Sequence, residues 1–172
     1  MTAIVVCPLS RLVETVVAHG ADDVVTLLSP GTEMPEHGAA RHITLDISDI
    51  SEPLDGHVLA GRAHVGELIA FIQAWPRTTP LVIHCWAGVS RSTAAAFVAL
   101  CTLAPEIPEE KHADTLRAAS PTATPNRRIV ALADAFLGRD GRMIAAVERI
   151  GRGADVVYEG TPFVLPLARS TA

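Results

Sequence analysis

The stretch Leu81-Val82-Ile83-His84-Cys85-Trp86-Ala87-Gly88-Val89-Ser90-Arg91-Ser92 decides how this chain is read. Leu81–His84 is a short apolar run that reads as a buried strand entering Cys85. A loop containing one glycine, Gly88, follows it. An Ala-rich helix then spans Ser92–Leu103 and ends before Pro105. A loop between a strand end and a helix start turns backbone N–H groups toward one point, and the helix N-terminus adds positive potential there. Such a cradle holds a tetrahedral dianion. Gly88 permits the backbone conformation the loop needs, and Arg91 offers a planar fork for two oxygens of the same dianion. Cys85 lies at the base of the cradle, where the positive environment favours its thiolate. A thiolate there is a nucleophile aimed at phosphorus, so covalent catalysis through a phosphocysteine is expected. A free cysteine is more often an inert buried thiol. That reading is kept for Cys7, in an apolar strand, and for Cys101, on the core face of a helix. For Cys85 it would leave His84, Gly88, Arg91 and Ser92 without explanation.

Working outward, Ala3–Val6 and Asp23–Leu28 read as strands. The helix between them is expected to be capped by Ser10, to bury Leu12, Val13, Val16 and Val17, and to stop at Gly20. Residues 29–40 read as a surface loop. Arg41–Ile47 alternates, with Ile43, Leu45 and Ile47 on one side and His42, Thr44 and Asp46 on the other. After a polar loop over residues 48–62, Val65, Leu68, Ile69, Ile72 and Trp75 recur at helical spacing up to Pro76. Further helices are expected from Pro108 to about Ala119, over Asn126–Leu137, and over Met143–Ile150. Residues 154–168 have broken strand character. The expectation is a single α/β domain with a small, mostly parallel central sheet and helices on both faces. Residues 1–150 would form it, and residues 151–172 a C-terminal tail packing on the same domain.

Composition narrows the chemistry. The chain has 172 residues, 49% hydrophobic and 19% charged, enough for a core and without a disorder signature. A formal net charge of −5 argues against a broad basic surface, so no nucleic-acid partner is expected. Lys111 is the single lysine, in Glu109-Glu110-Lys111, which leaves no Walker-type loop and no inward Schiff-base lysine. Three cysteines form no disulfide framework. No long apolar run suggests a membrane span, and no leader is evident, so the expected location is cytoplasmic. The histidines lack metal-ligand spacing, and no metal or other cofactor is expected.

His84-Cys85-x-x-Gly88-x-x-Arg91-Ser92 resembles the signature of the Cys-based protein tyrosine phosphatases at every defining position. Ile43-Thr-Leu45-Asp-Ile47-Ser-Asp49 resembles the dual-specificity phosphatase strand that ends in the general-acid Asp, and Pro125-Asn126 resembles a downstream element whose Asn braces the active-site loop. The resemblance covers residues 40–137 and is greatest to small bacterial members of the tyrosine phosphatase family. It implies Cys85 as nucleophile, Trp86–Arg91 as the phosphate-binding loop (Trp86, Ala87, Gly88, Val89, Ser90 and Arg91), Ser92 as the hydroxyl that helps the thiolate leave, and Asn126 as a support. Ser92 and Asn126 could each instead cap a helix. His84 either bonds backbone near Cys85 or is a satisfied core histidine. Asp49, at the strand-to-loop exit, is preferred as the acid over Asp46, which lies on the strand surface, although an Asx-turn would also suit Asp49. Trp75-Pro76-Arg77 superficially resembles the Trp-Pro-Asp loop of classical tyrosine phosphatases, but Arg stands where the acid would be.

The expected reaction is two-step hydrolysis of a phosphomonoester, on protein Tyr, Ser or Thr or on a small molecule. A similar signature serves enzymes of inositol phosphates or RNA 5′ ends, for which Arg127 and Arg128 would need to line the pocket. A non-catalytic phosphoprotein-binding protein is the third reading. Oligomeric state is left open by the sequence.

Overall fold

The computed structural model describes residues 2–167. Five strands form one sheet in the order β3-β2-β4-β1-β5. These are β1 (Ala3–Pro8), β2 (Asp23–Leu28), β3 (Arg41–Asp46), β4 (Leu81–Cys85) and β5 (Phe163–Pro166). The first four are mutually parallel, and β5 runs antiparallel along β1 at the sheet edge. β1, β2 and β4 are buried along their whole length, as expected of largely apolar parallel strands covered on both faces, and the polar Asp23, Thr26 and His84 are buried with them. β3 lies at the edge and keeps the alternation seen in its sequence, with Leu45 buried and His42, Thr44 and Asp46 exposed.

On one face of the sheet lie α2 (Arg62–Gln73), α3 (Arg91–Leu103), α4 (Glu109–Ala119), α5 (Arg127–Leu137) and α6 (Arg142–Ile150). They pack with Ile4, Val6, Val25, Leu27, Ile83 and Cys85 into the main core. Among the described residues the opposite face has α1 (Leu12–His19) alone as a helix, whose Leu12 and Val16 meet Val5, Cys7, Val24 and Val82. α3 is the central helix. Every residue from Arg91 to Cys101 is buried, which the small side chains of Ala94, Ala95, Ala96 and Ala99 allow by letting neighbours approach from all sides.

The helix after β1 departs from expectation in two ways. A single 3₁₀ turn over Leu9–Arg11 precedes it, and the residue at its N-cap is Arg11, with no side-chain cap. Ser10 therefore does not cap the helix; its hydroxyl donates to the Glu159 carboxylate at 2.8 Å. Val13 and Val17 are exposed, Val17 at 73%. They form an i, i+4 row about 100° round the helix from Leu12 and Val16, and one lone helix presents only one row to the sheet. Gly20 ends α1 in the left-handed conformation, as the sequence suggests.

The tail contributes β5, while Val156, Val157 and Tyr158 lie outside any strand. Residues 168–172 of the tail fall outside the described residues. Among the described residues, no helix is long and apolar enough to cross a membrane.

Candidate active site

The C-terminal ends of β1, β2, β3 and β4 all open on one edge of the sheet, where parallel α/β sheets place ligands. Central strand β4 stops at Cys85 and α3 starts at Arg91, leaving residues 86–90 as the loop between them. Hydrogen bonds on the outside of the loop fix its orientation. The Trp86 carbonyl accepts from Leu9 N (3.1 Å), that of Ala87 from Gly160 N (2.8 Å), that of Val89 from Thr124 N (2.9 Å) and that of Ser90 from Asn126 N (3.2 Å). In a trans peptide the C=O and the following N–H point in opposite directions. Four outward carbonyls therefore turn the amides of Ala87, Gly88, Ser90 and Arg91 inward. The Gly88 amide does so visibly, donating to Cys85 Sγ at 3.3 Å.

Gly88 has φ +70, and a Cβ there would lie 2.8 Å from Pro8 N and 3.0 Å from the Cys7 carbonyl carbon. Both the backbone conformation and the approach to β1 demand glycine.

Cys85 is buried, and its Sγ lies 3.1 Å from Oγ of Ser92, the second residue of α3. Ser92 sits inside α3, and the N-cap position is held by Ser90, so the Ser92 hydroxyl serves the sulfur and caps nothing. Arg91 is buried. Its Nη1 donates to the Ile47 carbonyl (2.8 Å) and approaches Ser29 Oγ (3.4 Å), while its Nε has no protein partner. A buried guanidinium with one edge tied to the residue after β3 and its Nε unpaired is oriented as a donor. Trp86 is 53% exposed at the loop rim, and so is no part of the core.

Asp49 and Asp46 separate clearly. Asp46 is exposed at the end of β3. Asp49 reaches the loop, its Oδ1 accepting from Ser90 Oγ (2.7 Å) and Asn126 Nδ2 (2.9 Å). Asn126 does two jobs. Its Oδ1 caps α5 by accepting from Ile129 N (3.1 Å), and its Nδ2 also donates to the Ile50 carbonyl (3.3 Å). A cavity of about 290 Å³ beside the loop is lined by Asp49, Ser90, Asn126 and Arg127 among others. Arg128 is directed elsewhere, its Nε donating to the Ala60 carbonyl (3.1 Å).

His84 is fully buried, with Nε2 bonded across to β2 and the ring beside the Cys85 backbone. Register pairs it with Thr26 across β2, so both side chains share a face, and His84 Nε2 meets Thr26 Oγ1 at 2.7 Å. Its Nδ1 makes no hydrogen bond of ordinary geometry, but the Cys85 backbone lies beside the ring and favours its charged form. Burial pushes its ring down to about 4, and the Cys85 backbone beside it opposes that shift only in part.

The other two cysteines stay apart from the site. Cys7 pairs in register with His84 and faces the α1 side, whereas Cys85 faces the main core. Burial raises the thiol of Cys7 to about 11 and that of Cys101 to about 12. No group of three His, Cys, Asp or Glu side chains that could hold a metal ion occurs among the described residues.

Sequence reasoning missed the part played by residues 151–160, which deliver Gly160 to the back of the loop. Backbone bonds between segments so distant in sequence leave no pattern in residue types.

No protein-family model matches the chain, and no curated protein matches it in sequence. Solved structures do. Human DUSP28 superposes with a TM-score of 0.61 at 16% identity, over 79% of this chain and 94% of that one. The human tyrosine phosphatase-like serine/threonine/tyrosine-interacting protein gives 0.63 at 14%, over 81% and 97%. A mouse putative dual specificity phosphatase, complexed with zinc tungstate, gives 0.55 at 17%, over 80% and 79%. The fold is that of the dual-specificity phosphatases.

Proposed function

We propose that this chain is a metal-independent phosphomonoester hydrolase working through a phosphocysteine, acting on phosphorylated protein side chains. One observation carries the reading: Cys85 Sγ lies within reach of the Gly88 amide and the Ser92 hydroxyl, at the start of a helix whose Arg91 has a buried, unpaired Nε. Inward amides, a helix N-terminus and an oriented guanidinium together stabilise charge on a transferring phosphoryl group.

In the first step the Cys85 thiolate attacks phosphorus, the P–O ester bond breaks, and the departing oxygen takes a proton from Asp49. Asp49 suits this because only its Oδ1 is engaged, by Ser90 and Asn126, so Oδ2 can carry the proton. In the second step water attacks the phosphocysteine, Asp49 takes a proton from it, and the S–P bond breaks. The Ser92 hydroxyl donates to the leaving sulfur, and inorganic phosphate departs.

A single phosphate is the preferred target. Residues 86–90 include no lysine, and of Arg127 and Arg128 only the first lines the neighbouring cavity, which leaves little for a second phosphate. Phosphotyrosine, with phosphoserine and phosphothreonine, is the proposed substrate class.

The test is turnover of p-nitrophenyl phosphate and of phosphopeptides over a pH series. Wild type should turn over. Cys85→Ser should abolish turnover yet still bind tungstate, and Asp49→Asn should slow it by about 10²- to 10⁴-fold and flatten one limb of the profile. Asp46→Asn should change little. Tungstate binding by a wild type that turns nothing over would instead indicate a phosphoprotein-binding protein.

A further inference from the structure

The chain between α6 and β5 forms a strap across the back of the phosphate-binding loop. Arg117, on α4, anchors its start by donating to the Gly151 carbonyl (2.7 Å) and to the Pro121 carbonyl (2.6 Å). Gly153 N donates to Thr124 Oγ1 (3.1 Å) and Ala154 N to the Pro121 carbonyl (2.9 Å). A side chain at Gly153 would place its Cβ 2.5 Å from the Thr122 carbonyl carbon, so the strap lies flush on the turn before α5. Further along, Glu159 is held by Ser10, and β5 then locks onto β1. Between these anchors Gly160 N donates to the Ala87 carbonyl at 2.8 Å.

That bond differs from the other three on the outside of the loop. The peptide unit whose C=O it holds, between Ala87 and Gly88, is the one whose N–H donates to Cys85 Sγ. The unit is rigid, so fixing its oxygen fixes the direction of its hydrogen, and a donor on the oxygen polarises the N–H further.

We propose that Gly160 is a positioning residue for the nucleophile: its backbone amide, delivered by the strap, aims and strengthens the Gly88 amide that stabilises the Cys85 thiolate. The proposal rests on the reading of Cys85 as the nucleophile. Gly160→Ala keeps the N–H, and its Cβ would lie 3.3 Å from the Val89 Cγ2 methyl, a contact that a small side-chain shift relieves. Gly160→Pro removes the N–H. The readouts are the acid limb of the pH profile of kcat/KM and the pH midpoint of Cys85 alkylation by iodoacetate. Gly160→Pro should raise both midpoints by about half to one pH unit, and Gly160→Ala should leave both at the wild-type value. Ser92 on α3 bonds the sulfur, while Arg91 on α3, His84 on β4, Cys7 on the neighbouring β1 and Asp49, which bonds the loop at Ser90, are the other charged or titratable groups around the loop, and neither variant alters them.

Equal midpoints in wild type and Gly160→Pro, or equal shifts in both variants, would overturn the proposal. A second measurement needs no variant at position 160. In the wild-type amide spectrum, the resonances of Gly88 and Gly160 should titrate with one midpoint, and both titrations should vanish in Cys85→Ser. A Gly160 resonance that ignores that titration refutes the coupling. A wild type without turnover whose two glycines still titrate together would sink the hydrolase reading alone.

Discussion

Substituting Gly88 by alanine perturbs the site through two separable effects, and their sizes follow from the geometry. The residue has φ +70, and placing an L side chain in that region costs roughly 1–2 kcal/mol. The new Cβ would also lie 2.8 Å from Pro8 N and 3.0 Å from the Cys7 carbonyl carbon, and both are backbone atoms of β1. β1 is clamped between β4 and β5 and cannot retreat, so the loop must move, at an overpacking cost of roughly 1–3 kcal/mol. The expected destabilisation is the sum, about 2–5 kcal/mol, or a Tm lower by roughly 5–15 °C for a chain of this size. Gly138→Ala supplies the comparison, because that glycine has φ +63 with nothing within 4 Å and isolates the conformational effect. Movement of the loop also drags the Gly88 amide off Cys85. A misplacement approaching 1 Å costs about 10²-fold in rate. Urea unfolding with p-nitrophenyl phosphate kinetics on the folded fraction measures both quantities. If Gly88→Ala loses no more stability than Gly138→Ala and keeps its kcat/KM, the packing argument for the loop is wrong.

Three further outcomes are expected. His84 is held near pH 4 when folded, against about 6.5 unfolded, so between these values the unfolded chain binds a proton that the folded one refuses. Stability should therefore fall by about 3 kcal/mol as pH drops from 6.5 to 4, and denaturation midpoints of His84→Gln should show a visibly shallower acid limb. Since Cys7 and Cys85 face opposite sides of the sheet, peroxide should inactivate Cys7→Ser and wild type at equal rates; a Cys7–Cys85 disulfide in the oxidised mass spectrum would contradict the facing. Phe97, fully buried in α3, should lose about 3–5 kcal/mol of stability as Phe97→Ala in urea unfolding.

The sequence carries the local features well. The strand–loop–helix unit from Leu81 to Leu103 is legible because its apolar run, its glycine and its helix start are contiguous, and each has a local cause. The alternation of Arg41–Ile47 likewise predicts which side of β3 is buried. What stayed illegible depends on contacts between distant segments. Ser10 has the chemistry of a cap, yet its hydroxyl is drawn to Glu159, 149 positions away. The hydrogen-bond partner of His84 is set by register with β2, which no periodicity encodes. Val13 and Val17 look like core residues until it is known that, among the described residues, α1 is the only helix on its face. Asp49 was separable from Asp46 by position alone, but its contacts with Ser90 and Asn126 emerge only once β3, the loop and α5 converge.

The burial of α3 on every side has an electrical consequence. From Arg91 to Cys101 the flank of this helix is covered by protein, so the field at its N-terminal end is weakly screened close in, while the molecule at large carries a formal charge of −5. A doubly charged ester diffusing in is thus repelled from afar and attracted only within the last few ångströms. Adding sodium chloride up to about 0.15 M shortens the Debye length to about 8 Å and suppresses the far repulsion while sparing the near attraction. Capture should quicken with modest ionic strength, the reverse of what a basic anion-binding surface would show.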